Sequence, residues 1–370
     1  MSRIVIVGGY GAFGAHAAER LAREPDLEIV IAGRSREKAQ AHARALSHTA
    51  KAKISWARLD ATRTSGDEIA ALQATVLINA SGPFQEQRYD LAQACIAARC
   101  HYIDLADARA FVCGIAGLDA QARAADVCVI SGASSVPGLS SAVVRAYADA
   151  FAKLDDIEIG ISPGNSFDPG VATVASILGG VGKPFTRRGD GREEIAYGWQ
   201  GLHRHAFPGL GTRWMSDVNV PDLDLLPMHY PALRSARFYA GLEVELFQIG
   251  LWLLSWLVRG KVMHSLSRLG GVLLKAKHSL RFLGSDAGGM FITLYGKDNS
   301  GAPKELNWNL VATSGHGPYV PAIASVILAK KLATGQGFEA GARACFEQFN
   351  LAEFKAAVSD LSISYETMWR

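Results

Sequence analysis

Gly9, Gly11 and Gly14 stand at the spacing G-x-G-x-x-G in the stretch IVIVGGYGAFGAHAAERLA, residues 4–22, with Gly8 just ahead of them. Glycines so placed permit a tight turn and let backbone N–H groups approach an anion at a helix start. The chemistry they suit is the cradling of a dinucleotide pyrophosphate. Gly9, Tyr10, Gly11, Ala12, Phe13 and Gly14 are the candidate contacts. Ordinary strand-to-helix turns use glycine too, so the motif gains its weight from an apolar strand before it and an amphipathic helix after it.

A second cluster selects the dinucleotide. NAD sites usually close their second strand with an acid for the ribose 2′-hydroxyl. This chain has IAGRSREKA there, with Arg34, Ser35, Arg36 and Lys38 and no acid in position. The Arg34 guanidinium and the Ser35 hydroxyl suit an adenosine 2′-phosphate. Basic residues at a helix start also oppose the macrodipole unless an anion joins them. NADP is therefore expected in preference to NAD. Asp60, closing the third strand, is placed to reach the adenine edge. The backbone of NASGPF, through Ala80, Ser81, Gly82 and Pro83, would pass the pyrophosphate and nicotinamide ribose.

Groups that move a proton must lie near the carboxyl edge of the same sheet. In HYIDLAD, strand alternation puts Tyr102 and Asp104 on one face, with His101 and Ile103 on the other. Tyr102 and Asp104 are the candidate catalytic pair, although a packed tyrosine and a turn-capping aspartate would read the same way. His316 and Tyr319, in SGHGPYVP, form a second pair. Other chemistries are poorly supplied. None of the ten tyrosines has a lysine four residues on, which short-chain dehydrogenases require. Ser134 and Ser135 lack the G-x-S-x-G elbow and are expected to cap a helix beginning near Gly138. His203 and His205 share a strand face but have no third ligand at a convincing spacing, so surface histidines and no metal are expected.

These residues need a frame. Apolar runs at 3–8, 27–33, 53–59, 75–79, 101–105 and 127–131 alternate with helical patterns, which predicts a doubly wound parallel sheet of the Rossmann kind over 1–150. Prolines then punctuate 157–237, and strand patterns at 156–161 and 291–295 predict a second, α+β domain with a largely antiparallel sheet over 151–315. Residues 316–370 are expected to add C-terminal helices, among them a clean one over 321–333, packing back on the first domain. The overall class is α/β. With 370 residues, two domains are affordable.

In order along the chain, GGYGAFG, AGRS, INASGPF, HYIDLAD, GASSVPGLSSAVV, GMFITLYG and GHGPYVPAIAS resemble the saccharopine dehydrogenase-like NAD(P)-binding oxidoreductases. The resemblance spans most of the chain. It implies a Rossmann domain, a second α/β domain and reductase chemistry on imines of amino-acid conjugates; more distant members act on lipid or polyketide intermediates. The glycine–threonine–leucine–arginine stretch found late in the saccharopine-forming reductases has no counterpart here. Basic residues for substrate carboxylates are scattered, at Arg187, Arg188, Arg192, Arg204 and Arg213.

A net charge of +3 is too mild to argue for a nucleic acid partner. Five cysteines without a C-x-x-C pair read as reduced thiols, and a first strand that begins almost at once sets the cytoplasm as the expected location. One stretch stands apart. Residues 246–285 hold no acid and carry Arg259, Lys261, Arg268, Lys275, Lys277 and Arg281, after the apolar run LFQIGLWLLSWLV. It reads as a buried helix, a homodimer face, the wall of an apolar substrate pocket, or a peripheral membrane contact over 246–281 with Trp252 and Trp256 at headgroup level. The expected function is NADP-dependent hydride transfer involving an imine or activated double bond of a small or lipid-like substrate. The competing expectation is a membrane-peripheral nucleotide-binding protein without turnover.

Overall fold

In the computed structural model, which describes residues 1–85, 87–336 and 338–370, the six early apolar runs are strands of one sheet. They are β1 (Ser2–Val7), β2 (Leu27–Gly33), β3 (Lys53–Arg58), β4 (Val76–Asn79), β5 (His101–Asp104) and β6 (Cys128–Ser131). The spatial order is β3-β2-β1-β4-β5-β6, and every neighbouring pair is parallel. Helices run between the strands, as a parallel sheet requires. Two of them bear on the site: α1 (Gly14–Leu21) and α2 (Arg36–Ser47).

The chain divides into two units, the first of residues 1–139 with 318–357 and the second of 140–317 with 358–370. In the first, Val5, Val7, Leu77, Tyr102 and Val129 join a helix-covered core on one sheet face. The helix Val320–Ala333 packs on α1, β1, β4 and β5. It is apolar on almost every side and is opened by Pro321, which suits a first turn whose N–H groups have no intrahelical partner. A seventh strand, Gly341–Ala344, lies parallel to β6 at the sheet edge.

The second unit holds a seven-stranded mixed sheet. In space its strands run His203–Phe207, Gly211–Asp217, Ser235–Ala240, Lys153–Ser162, Gly288–Lys297, Pro303–Ala312 and Ile363–Trp369. All neighbours are antiparallel except Ser235–Ala240 against Lys153–Ser162. A hairpin, Pro184–Gly189 with Arg192–Tyr197, accompanies it. The helix expected near Gly138 begins instead at Ser140, because Ser135–Leu139 form a wider turn in which the Leu139 N–H donates to the Ser134 carbonyl at 3.1 Å.

Candidate cofactor site

The glycine cradle starts where β1 stops. Ile4, Val5, Ile6 and Val7 are buried, so the strand end is fixed before the turn begins. Gly8 takes a φ of +77° and donates to the Ala32 carbonyl at 2.9 Å. A Cβ on Gly8 would stand 2.8 Å from the Ala80 oxygen, and one on Gly9 2.8 Å from the Ile6 oxygen. One on Gly14 would run into the Gly8 carbonyl. Those three glycines are demanded by the protein itself. Gly11 is different, since its Cβ would meet only the Gly8 oxygen, at 3.1 Å. That contact is tight, but no other atom lies within 4 Å of the added Cβ, which leaves room for a ligand against the backbone. Ala12 and Phe13 are half-buried, and α1 begins without a side-chain cap or an acid in its first turn. An uncapped helix start suits an anion, while the Ala15 N–H donates to the Gly11 carbonyl at 3.0 Å and closes the first turn.

Tyr10 ties this cradle to β2. Its hydroxyl accepts from the Ser35 N–H at 3.1 Å. Its ring covers Gly33, where a Cβ would come within 2.5 Å of it. Just beyond lies a pocket of about 470 Å³ lined by Arg34, Arg36, Glu37, Trp56 and Arg58. Arg58 ends β3 directly beside Gly33 of β2, and the Arg36 guanidinium sits 5.1 Å from the Trp56 ring centroid. Three guanidiniums surround one carboxylate, so the pocket is positive. Glu37 is held below the usual carboxylate range by its own backbone N–H and the Ser35 hydroxyl, then by Arg36 and Arg58. Ser35 caps α2 by accepting from Lys38 N–H at 3.2 Å and donates to Glu37 at 2.8 Å. Guanidiniums and an indole together suit a phosphate ester and an adenine. The sequence singles out Arg34 and Ser35 but not Trp56 and Arg58, which line the pocket with Arg34. The missing signal was register: the ends of β2 and β3 are aligned, so the last residues of β3 belong to the same site.

Asp60 fastens the turn after β3, accepting from the Thr62 N–H at 3.1 Å and hydroxyl at 2.9 Å. Those donors hold its pKa down, with Arg34 adding to them. On the other side of β1, the loop Ala80–Pro83 is shaped by buried Asn79. The Asn79 oxygen accepts from Ser81 N–H at 3.0 Å and Ser81 hydroxyl at 2.5 Å. Gln87 donates to the carbonyls of Ser81 and Pro83 at 2.9 and 2.8 Å. Backbone at this loop therefore has a set form.

Tyr102 and Asp104 share a strand face, and both are inside the core at 1% and 0% exposure. The Asn79 amide donates to the Tyr102 hydroxyl at 3.1 Å, and burial pushes that hydroxyl well above its ordinary pKa. One oxygen of Asp104 accepts from the Ser131 hydroxyl (2.9 Å), Gly132 N–H (2.8 Å) and Ala106 N–H (3.0 Å). The other has no hydrogen-bond partner among the described residues. Burial raises the carboxyl to about 6, with those N–H donors pulling the other way. Asp104 thus stitches the ends of β5 and β6 together. His101 accepts from the Cys128 N–H at 3.0 Å.

The remaining candidates are engaged elsewhere. His316 accepts from the Ser362 N–H at 2.8 Å, and Tyr319 donates to Glu19 of α1 at 2.6 Å. His203 and His205 are half-buried rather than fully exposed. His205 stacks on Phe291 with centroids 3.5 Å apart, and burial drops its pKa to about 4. His203 lies edge-on to Tyr239 at 4.3 Å. Among the described residues no cluster of three metal-ligating side chains occurs. Of the scattered arginines, Arg187 is paired with Glu194 and Asp217. Arg213 is buried against Glu243 and the carbonyls of Ser162 and Ala287. The five cysteines are free thiols.

A family model, the saccharopine dehydrogenase NADP binding domain, matches residues 4–130. Over that span the chain is similar to the NADP-binding domain of saccharopine dehydrogenases. It is an NAD(P)-dependent oxidoreductase, and NADP is its cofactor, as the arginines beyond β2 anticipate. A search of curated proteins returns no match. Among solved structures, saccharopine dehydrogenase (L-Glu forming) from Saccharomyces cerevisiae aligns over 100% of both chains at 12% identity and a TM-score of 0.69. At that identity the likeness concerns the fold, and it extends through the second sheet. Amine dehydrogenase from Mycobacterium smegmatis aligns over 92% of this chain and 94% of its own, at 10% identity and a TM-score of 0.49.

Proposed function

We propose that this saccharopine dehydrogenase-like oxidoreductase moves a hydride to or from an imine or an activated double bond of a small or lipid-like substrate. The observation that carries the cofactor half is the pocket in which Arg34, Arg36 and Arg58 surround Trp56, next to a cradle left open at Gly11. When bound, NADPH supplies the hydride. Arg34, Arg36 and Arg58 would hold its 2′-phosphate, Trp56 its adenine, and Gly11 with the first turn of α1 its pyrophosphate. Asn79 keeps the loop Ala80–Pro83 in shape beside it.

In this account Tyr102 and Asp104 are positioning residues. Asp104 clamps the backbone at Ala106 and Gly132, and Tyr102 steadies Asn79, so the pair sets the loops at the carboxyl ends of β4, β5 and β6. The substrate half rests on what such a sealed pair leaves undone. An iminium carbon already carries positive charge and takes a hydride without a proton donor in that step. An activated double bond takes its proton at a different carbon from the hydride. Both suit a sheet edge whose tyrosine and carboxyl are buried. The test uses NADPH deuterated at C4 with a panel of imines, α,β-unsaturated thioesters and simple ketones, read by mass spectrometry. Deuterium is expected in imine or unsaturated members. Transfer to ketones alone, or cofactor binding without transfer to any member, would contradict it.

A further inference from the structure

The helix Glu245–Arg259 is built inside out. Its inward face carries two polar side chains, Gln248 and Ser255, both at 0% exposure, between Leu251 and Val258. These polar groups are paired. The Leu242 N–H donates to Gln248, which donates to the Ser216 hydroxyl, both at 2.9 Å. Gln200 donates to Ser255 at 3.2 Å and accepts from Arg259 at 2.6 Å. The outward face carries Leu246 at 65% exposure, Leu253 at 56%, Trp256 at 47% and Leu257 at 39%. Leu246, Leu253 and Leu257 are seven and then four residues apart, so they form one stripe opposite the pinned polar face. Val262 (74% exposed), Phe282 (77%) and Leu283 (51%) are further exposed apolar side chains in the residues that follow. An exposed apolar stripe along one helix face marks an interaction site.

Charge indicates what covers it. Residues 246–285 contain no acid. Lys261 and Lys275 are exposed, and the Arg259 guanidinium lies 4.9 Å from the Trp256 ring centroid. Lys277 donates to the carbonyls of Asn165 and Phe167, so it helps to hold the segment in place. The side chains of Arg268 and Arg281, which also belong to the basic set, lie outside the described residues, as do those of Ala172, Val272 and Ala276. The nearby acids are Glu245, which opens the helix, Glu243, which accepts from the Ser285 N–H at 2.8 Å, exposed Asp286 just beyond the segment, and Asp168, which faces His278 at 3.3 Å. A two-fold contact with a second copy would set Lys261 and Lys275, on a segment with no acid between residues 246 and 285, against themselves, with only Glu245 and Asp286 at its margins to offset the repulsion. An anionic lipid surface answers both features.

We propose that the outward stripe of the helix Glu245–Arg259, with Lys261 and Lys275 beside it, docks the protein in the plane of an anionic lipid bilayer. At 15 residues the helix is too short to span, and no helix among the described residues is long and apolar enough to cross a membrane. The leucines and Trp256 enter the headgroup boundary, and the lysines meet lipid phosphate.

The test is cosedimentation of the full chain with phosphatidylglycerol or phosphatidylcholine vesicles over a salt series, with sedimentation velocity and thermal melting as controls. The parent is expected to bind the anionic vesicles, to be released as salt rises, and to ignore the neutral ones. The triple change Leu246→Ser, Leu253→Ser and Leu257→Ser should lower binding at least about tenfold with the melting temperature unchanged, since exposed positions leave no cavity. Lys261→Glu with Lys275→Glu should abolish the preference for anionic lipid. No binding of the parent to anionic vesicles, or equal binding to both kinds, overturns the proposal. So does a dimer of the parent that the serine changes dissolve, which would assign the stripe to a second copy. A marked fall in melting temperature on the serine changes also overturns it, because the stripe would then be core.

Discussion

Gly11 and Gly14 belong to one motif but answer to different neighbours. Gly14 is required by the Gly8 carbonyl that its Cβ would strike, whereas Gly11 faces open space with one oxygen 3.1 Å away. Gly14→Ala should therefore cost about 1–3 kcal/mol of stability through forced backbone movement. Gly11→Val should leave the melting temperature close to the parent's and lower NADPH affinity by about tenfold or more, because the added methyls stand where pyrophosphate must approach. Calorimetry and NADPH fluorescence titration on both variants check the pair. Equal loss of stability with intact binding in Gly11→Val would remove Gly11 from the site. The motif itself was legible because glycine is rarely dispensable where backbone meets backbone. Trp56 and Arg58 were not, since an aromatic and a basic residue in a strand look like any half-exposed edge until the register of β2 on β3 places them beside Arg34.

At the scale of elements, two helix starts meet through a buried pair. Ser140 opens the helix Ser140–Ala148, Asp222 opens Asp222–His229, and the Ser140 hydroxyl donates to the Asp222 carboxyl. Asp222 is fully buried, and its second oxygen has no hydrogen-bond partner among the described residues. Burial raises its pKa to about 7, with the Ser140 hydroxyl and its own backbone N–H acting against the rise. An unfolded aspartate loses its proton near pH 4, while the native one keeps it up to about 7. Stability is thus fully present below about pH 4 and drains as pH rises through that window, by up to about 4 kcal/mol. Asp222→Asn should melt higher than the parent at pH 8 and lose that advantage at pH 4. An identical pH dependence of melting in both proteins would rule out a neutral native carboxyl. The strands β1 to β6 were legible to within about a residue, as continuous apolar runs between helices are the mark of a parallel sheet. Gly341–Ala344 was not, because GARA at a sheet edge has no periodicity and earns its place only by pairing with β6. The helix Glu245–Arg259 shows a further limit: LFQIGLWLLSWLV reveals an apolar segment, but only the partners of Gln248 and Ser255 reveal which face turns inward.

At the scale of the whole molecule, composition and motif order pointed to an α/β chain with a dinucleotide-binding half and a second half of different texture. The first unit is a parallel sheet that sets a glycine cradle, an arginine pocket and a stitched carboxyl edge along one row of strand ends. The second is a mixed sheet in which Arg187 and Arg213, two of the scattered basic residues, are already paired with carboxylates of the protein. NADP recognition by the first unit is assigned to the guanidiniums at the ends of β2 and β3. Dissociation constants for NADPH and NADH, measured on the parent and on the double variant Arg34→Ala with Arg58→Ala, test it most directly. A single charge-assisted contact to a 2′-phosphate is worth roughly 1.5–3 kcal/mol, so removing two guanidiniums should weaken NADPH by at least about 10- to 150-fold. NADH, which has no such phosphate, should change by less than about threefold. Equal weakening of the two cofactors, or a parent that binds both alike, would contradict the account.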